Sequence, residues 1–462
     1  DGGGMFPPDE GGTPAVSPGN GESFVLVHLN ASLLAGPDAA AAAKVKTLGL
    51  LLFHSDASAG LGHYDVDAQV TYLCCTQKLL TANKCGSDSA RPFTPIVNES
   101  FTSTLAPDMF RYDLLEFNST AETVSHTRRW NITQSGIYYL FMVNCNIRSE
   151  RQVSISGTVT WMNPYGYLPG EQYPFLPFYG VLALAYLVLG LWWFIVSACH
   201  WRRLLQLQYA IAGVIFLGMT ESATWYFDNL DYDITGQNSM GAIVFGILAS
   251  TVKRTVSRVL VLVVALGFGV VKPTLGAKRY QVAVLGTLYL VFSLCLSIVE
   301  NWNHAEQVPW TTVVFLVVPV ALLDTVFYWW IFVSILTTIT QLRVRKQTMK
   351  ISMYRWLFNV LVGSVAVSAV AIVYQMFVVA FSSIDDRWRT WWMWNAFWQL
   401  LYFALLLVIA WLWRPVTNNT RYSYGDPDSK PLVDVEESNA TNASDIAASN
   451  SLAESLGDAK LN

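Results

Sequence analysis

The sequence predicts a membrane protein: a β-sandwich followed by a bundle of seven transmembrane helices. Three observations carry that prediction. Hydrophobic residues make up 53% of the chain and charged residues 13%, with 18 tryptophans, a balance close to that of a polytopic membrane protein. From residue 175 onward there are seven long apolar segments, and about 20 apolar residues at 1.5 Å rise each are enough to cross a bilayer. Before them, short runs alternate apolar and polar side chains, the period of two that marks strands. The net charge of −4 gives no reason to expect a nucleic-acid partner.

Residues 1–21 are rich in Gly and Pro without a hydrophobic period and read as a disordered leader. A chain that opens on Asp1 rather than Met suits a processed secretory precursor, which is an expectation only. Residues 22–163 are the predicted sandwich. Val66, Ala68, Val70 and Tyr72 alternate with polar residues, as do Val153, Ile155, Val159 and Trp161. The run 137–145 is apolar on both faces, as a central strand is. About seven or eight such runs suggest a sandwich. Cys74, Cys75, Cys85 and Cys145 lie here. A bridge between adjacent cysteines is strained, so one of Cys74 and Cys75 is expected to pair with Cys145 and the other with Cys85; free buried thiols are the competing reading. N-x-S/T acceptor sequons at Asn30, Asn98, Asn118 and Asn131 need a surface in a secretory compartment and support a lumenal side.

A Pro- and Gly-rich linker, residues 164–174, leads into the helical region at 175–414. Its segments are 175–198, 207–227, 240–271, 280–299, 309–336, 356–382 and 393–413. Loops after segments one, three and five carry ten Lys and Arg residues, from Arg202 to Arg355, whereas the even loops carry only Arg387 and Arg389. The positive-inside rule then places the N-terminal domain outside the cytosol and the C-terminus inside. Trp302, Trp310, Trp388, Trp391, Trp392 and Trp394 gather near the predicted lumenal ends, where an interfacial belt is expected. The tail, residues 415–462, is polar and acidic and reads as disordered and cytosolic.

Charges inside the apolar segments are the candidate site. Segment three carries Lys253, Arg254 and Arg258, each costing about 2.5–3.5 kcal/mol to insert. Segment two holds Glu221 and segment five Asp324. Counting about 1.5 Å per residue from the segment ends places Asp324 level with Lys253 and Arg254. That depth favours an Asp324 pairing with one of them, with Glu221 lining the upper part of a cavity. Two readings compete: an ion-pair network that fixes packing, or a polar cavity that binds a lipid headgroup or passes ions. Enzyme and metal-binding motifs are missing from the sequence, and the six histidines show no metal-ligand spacing, so the expectation is a non-enzyme without a metal.

Several runs resemble the transmembrane protein 87 family: PYGYLPGEQYPFLPFYG (164–180), GVIFLGM (213–219), VKRTVSRVLVLVVALGFGVVKPTLG (252–276), LRVRKQTMKISMYR (342–355) and WRPVTNNTRY (413–422). The resemblance implies a Golgi-dynamics-type sandwich joined to seven helices, also called lung seven-transmembrane receptor-like, with the sandwich in the Golgi lumen and the C-terminus in the cytosol. It implies a role in Golgi organisation and in retrograde traffic from endosomes, with plasma membrane or endosomes as further locations. It also implies a central cavity open to lipid, to which Glu221, Lys253, Arg254 and Asp324 carry over. A bound phospholipid and a lumenal cargo or protein partner are the ligands so implied. The alternative implied function is a cation channel or channel regulator; an orphan G-protein-coupled receptor is weaker, since segment three ends in GFGVVKP (267–273) rather than an Asp-Arg-Tyr-type triplet. One departure stands out: the loop SSIDDRWRTWW (382–392) lacks the cysteine that some relatives carry there, which puts a covalent tie between sandwich and bundle in doubt.

Overall fold

The computed structural model describes residues 2–6, 21–33, 46–65, 70–75, 77–82, 85, 96, 109–117, 123–144, 153–268, 271, 276–302, 310–382 and 387–415. Two compact units make up the chain: one contains residues 1–189, 215–253 and 360–407, the other residues 190–214, 254–359 and 408–462.

Among the described residues the N-terminal region is mainly β, with a 3-10 turn at Ser55–Gly60 and a short helix at Gln77–Thr81. Its strands are β1 (Gly2–Met5), β2 (Phe24–Leu33), β3 (Lys46–His54), β4 (His63–Asp65), β5 (Val70–Tyr72), β6 (Phe110–Phe117), β7 (Thr123–Asn131), β8 (Gly136–Asn144) and β9 (Val153–Met162). They form a four-stranded sheet in the order β1-β8-β3-β6, a three-stranded sheet β7-β2-β9 and the small pair β4-β5, all antiparallel. Both larger sheets feed one core. Val25, Val27 and Leu29 of β2 and Trp130 of β7 are buried together with Leu48, Leu50 and Leu52 of β3 and Tyr138 and Leu140 of β8. The alternate residues of the same central strands, Leu51, Phe53, Tyr139 and Val143, join a second cluster around Ala57. Strand β8 is apolar on both faces, and its first half, Ile137 to Leu140, is covered on both, whereas Phe141 and Met142 further along are exposed.

Cys75 is bridged to Cys85, and Cys74 is disulfide-bonded as well. Cys145, its expected partner, lies outside the described residues, as do Asn98 and Asn118. The side chains of Asn30 and Asn131 are exposed, as glycan acceptors must be.

Among the described residues seven long helices follow: α1 (Phe175–Cys199), α2 (Gln206–Thr235), α3 (Met240–Ala265), α4 (Lys278–Trp302), α5 (Trp310–Val344), α6 (Thr348–Phe381) and α7 (Trp392–Leu412). Among the described residues, five helical stretches are long and apolar enough to cross a membrane: Phe175–Cys199, Lys278–Glu300, Val314–Val344, Lys350–Phe381 and Trp392–Leu412. Helices α2 and α3, which hold Glu221 and the three cations, fall outside that set. Helix α2 runs on past the apolar segment through the acidic stretch to Thr235, because backbone hydrogen bonding continues where the apolar run stops. The basic stretch after segment five is likewise mostly helical, broken only near Lys346 at φ 53°.

Two expectations need correction. Residues 2–5 are not a disordered leader: they pair with β8, Met5 opposite Gly136, and Met5 is buried. Glycines carry no side chain to exclude, so a Gly-rich segment can still satisfy a sheet edge through its backbone. Trp388 is no belt residue either. It is 6% exposed and packs on Phe6 at 5.2 Å between ring centroids. The linker 164–174 is bonded to its surroundings. Asn163 Nδ2 donates to Leu168 O at 2.9 Å, Tyr167 N donates to Asp233 O at 3.0 Å, and Leu168 N donates to Asp233 Oδ1 at 3.2 Å.

Asp233 lies near the end of α2, beyond the apolar segment. Burial holds its carboxyl above the usual carboxylate range, opposed by the Leu168 N–H that it accepts. With a raised folded-state value, its contribution to stability is fully present below the ordinary Asp range and is lost as pH rises through the raised value. Asp233→Asn keeps an acceptor and should flatten this part of the pH–stability profile. Asp233→Ala strands the Leu168 N–H and should cost about 1–3 kcal/mol. Thermal melts of the full chain in detergent across about pH 4–7 check both.

Candidate functional site

The intramembrane charges sort into two clusters, one in each unit. In the first, Lys253 of α3 and Glu221 of α2 form an ion pair, their side chains 3% and 1% exposed. Gln399 of α7 joins them: Lys253 Nζ donates to Gln399 Oε1 at 3.1 Å, and Gln399 Nε2 donates to Glu221 Oε1 at 3.5 Å. The ammonium also sits 4.3 Å from the centroid of the Tyr402 ring, which adds a cation–π contact. Transferring a charge from water into such a setting costs several kcal/mol per ion, so the pair depends on its mutual attraction and on the further contacts from Gln399 and Tyr402.

Tyr186 of α1 borders the same cluster and is fully buried. Its ring meets Phe403 edge-on at 4.8 Å and lies against Gly218 of α2, where a Cβ would come within 2.4 Å of Tyr186 Cε1. Only glycine fits there, which gives the GVIFLGM run a physical reason. The Tyr186 hydroxyl has no hydrogen-bond partner among the described residues.

In the second unit, Arg258 of α3 grips Asp324 of α5 with its fork. Nε lies 2.6 Å from Oδ1, and Nη2 donates to Oδ2 at 3.2 Å. The guanidinium stands 4.6 Å over the ring of Tyr289 from α4. Both side chains of the pair are about a quarter exposed, so this pair is less demanding than the first. Bidentate geometry of this kind is what Arg offers and Lys cannot. Arg254 is exposed.

These pairings overturn the expected ones. Asp324 pairs with Arg258, not with Lys253 or Arg254, and Glu221 is itself the partner of Lys253. Depth along the membrane was the wrong coordinate. Lys253 and Arg258 are five residues apart, which on a helix of 3.6 residues per turn separates them by about 140° around the axis. They therefore face different neighbours whatever their depth. The sequence reading also missed Gln399, Tyr402 and Tyr186. Gln399 left a signal, a lone amide within the apolar run of segment seven, and a polar side chain there needs a partner.

Single substitutions should be worse than paired ones. Glu221→Gln alone leaves a buried ammonium and should cost about 3–5 kcal/mol. The double variant Glu221→Gln with Lys253→Met should recover much of that, which a thermal-shift double-mutant cycle in detergent measures. Gly218→Val should displace Tyr186 and cost about 1–3 kcal/mol by overpacking.

Comparison with known proteins supplies the family. Residues 174–420 match the family described as "GOST, seven transmembrane domain". The chain is 38% identical over 296 residues to Transmembrane protein 87A of Xenopus tropicalis, covering 64% of this chain and 53% of that one. It is 35% identical over 303 residues to Transmembrane protein 87B of Mus musculus, covering 65% and 53%. To Membrane protein PTM1 of Saccharomyces cerevisiae it is 28% identical over 364 residues, covering 74% and 66%. The chain thus spans about half the length of its vertebrate relatives. It is a multi-pass membrane protein that belongs to the seven-transmembrane GOST family and, within it, to the transmembrane protein 87 family.

Proposed function

We propose that this protein is a non-enzymatic Golgi membrane protein acting in membrane trafficking, in endosome-to-Golgi retrieval and Golgi organisation. In this reading all seven helices cross the membrane, the β region is a sandwich that faces the lumen and binds cargo or partners, and the helices hold a membrane lipid. The excess of Lys and Arg in the odd loops supports the orientation. The observation that carries the lipid part is the buried Lys253–Glu221–Gln399 cluster.

The outer part of α6 supports it. There Ser364, Ser368, Ala371, Gln375, Val378 and Ser382 are half-buried while the residues between them are exposed. Small and polar stripes are the faces that membrane helices usually present to one another; here the stripe is only half-covered, which leaves room for a lipid beside it. A buried hydroxyl is normally satisfied, so the lone Tyr186 hydroxyl calls for a ligand atom or a water beside the cluster. Water there would favour the second reading, a cation channel or channel regulator.

Two measurements on purified protein separate the readings. Lipid extracted from the wild type and identified by mass spectrometry should fall by about tenfold in Lys253→Ala, since one cluster contact contributes on the order of 1.4 kcal/mol. Cation flux in liposomes that Lys253→Ala and Asp324→Asn alter would transfer the lead to the channel reading. Unchanged distribution of retrieved cargo in cells lacking the protein would remove the trafficking role.

A further inference from the structure

We propose that one end of the helical region, where Arg202, Arg343, Arg345, Arg355 and Arg414 stand exposed, is a docking surface for anionic lipid headgroups that carry a phosphomonoester. Its residues are distinct from those of the Lys253 cluster, so this is a second lipid site. In the orientation proposed above it faces the cytosolic leaflet, and only that placement rests on the earlier reading.

Helix ends meet there, all within the second unit. Thr338 Oγ1 of α5 donates to Ala265 O at 2.8 Å, and the Tyr354 hydroxyl of α6 donates to Val264 O at 3.0 Å. Both serve carbonyls in the last turn of α3, the region that a helix leaves short of partners. Gln208 Nε2, in the first turn of α2, donates to Trp413 O just past α7 at 3.0 Å. The Trp413 ring meets Tyr354 edge-on at 6.3 Å, and Trp192 of α1 stacks on Trp411 of α7 at 6.3 Å. The arginines flank these contacts along the chain. Arg202 lies between Trp192 and Gln208, Arg343 and Arg345 follow Thr338, Arg355 follows Tyr354, and Arg414 follows Trp413.

Charge at this end has one sign. Residues 199–209, 264–282, 338–358 and 409–415 contain no Asp or Glu, and none of the five arginines is paired with a carboxylate among the described residues. The positive-inside rule counts charge and is indifferent to what a cation rests on. Here three of the arginines adjoin exposed tryptophans, Trp201, Trp356 and Trp411. The Arg414 guanidinium lies 4.2 Å from the centroid of the Trp411 ring, and that of Arg202 5.2 Å from the centroid of Trp201. Stacking holds the plane of a guanidinium and leaves its N–H fork free, while a tryptophan at a helix end suits headgroup depth. The fork matches a phosphate bidentately, and clusters of about four to eight cations beside a membrane favour polyvalent headgroups. A second observation asks for an acceptor. Trp413 is 3% exposed and its Nε1 has no acceptor among the described residues, whereas a buried indole N–H is normally bonded. The competing occupant is the chain's own acidic tail, with Asp426, Asp428, Asp434, Glu436 and Glu437. Its carboxylates match the charge but give the exposed tryptophans no apolar partner, so a lipid fits better.

The test uses the full chain in neutral detergent, where orientation plays no part, and labelled short-chain phosphatidylinositol 4-phosphate followed by fluorescence anisotropy. This lipid should bind at least about tenfold more tightly than phosphatidylinositol, which lacks the phosphomonoester. Arg343→Gln with Arg345→Gln should weaken binding about tenfold or more. Arg128→Gln with Arg129→Gln, which removes equal charge from β7, should change it less than about twofold. Arg202→Lys with Arg414→Lys keeps the charge but gives up fork and stacking, and should lose about threefold or more. Equal affinity for the two lipids overturns the proposal, and so does unchanged affinity in either site variant that melts like the unaltered chain. Competition by inositol 1,4-bisphosphate as strong as by unlabelled lipid assigns the surface to a soluble phosphate and overturns the membrane role. Binding that appears only once the five tail carboxylates are replaced by amides assigns it to the tail and overturns it as well. An inverted orientation, read by protease accessibility in vesicles, leaves these affinities as they are, so the two readings fail separately.

Discussion

The interaction on which the helical region depends is the ion pair of Lys253 and Glu221. An ammonium and a carboxylate that are almost wholly removed from solvent each carry a desolvation cost of several kcal/mol, and direct attraction offsets it only where hydrogen bonding is complete. Completing it requires a third helix. Gln399 serves both charges at once, through its oxygen to Lys253 and its nitrogen to Glu221, so α2, α3 and α7 are tied at one level. Gly218 lets the Tyr186 ring approach α2 beside the carboxylate, which brings in α1. Charge satisfaction thereby dictates which helix faces meet. This also accounts for the two helices that fall short as membrane spans on apolarity alone: their polar residues are balanced in the fold, not along the segment.

Much of the fold was legible in the sequence because hydrophobic patterning is local. The alternating run at 153–161 and the two-faced apolar run at 137–145 overlap β9 and β8, and each of the seven apolar segments overlaps one of the long helices. Partner choice at the site was not legible in the same way. Depth can be counted from a segment end, but direction around the axis follows from how helices pack, and only that distinguishes Lys253 from Arg258. Segment Gly2–Met5 was misread for a related reason. Composition reports on side chains, whereas this strand is held by its backbone and by Met5 alone. Trp388 resembled the exposed Trp391 and the half-buried Trp392 in sequence and differs from them because Phe6 covers it.

The tie between the β region and the neighbouring helices is non-covalent among the described residues. Phe6 on Trp388, Arg389 donating to Ser135 and the linker amides on Asp233 take the place that a bridge to the loop before α7 would hold. Such contacts are cooperative: Trp388 touches both Phe6 and the position of Gly4, and Asn163 serves both Phe6 and Leu168.

The state of Lys253 bears on which ligand the membrane site can take. A lysine that already has a carboxylate, an amide oxygen and an aromatic face is not a free hook for phosphate, and the pair as a whole is neutral. A cation moving toward Glu221 meets Lys253 at the same level, and repulsion between like charges in a medium of low polarity exceeds that in water many-fold. A neutral pair instead favours a ligand that carries both signs or dipoles, which can exchange contacts with Lys253, Gln399 and Glu221 without leaving a charge alone. Within the proposed function, that balance is the physical ground for placing a lipid headgroup, rather than a stream of cations, beside Tyr186.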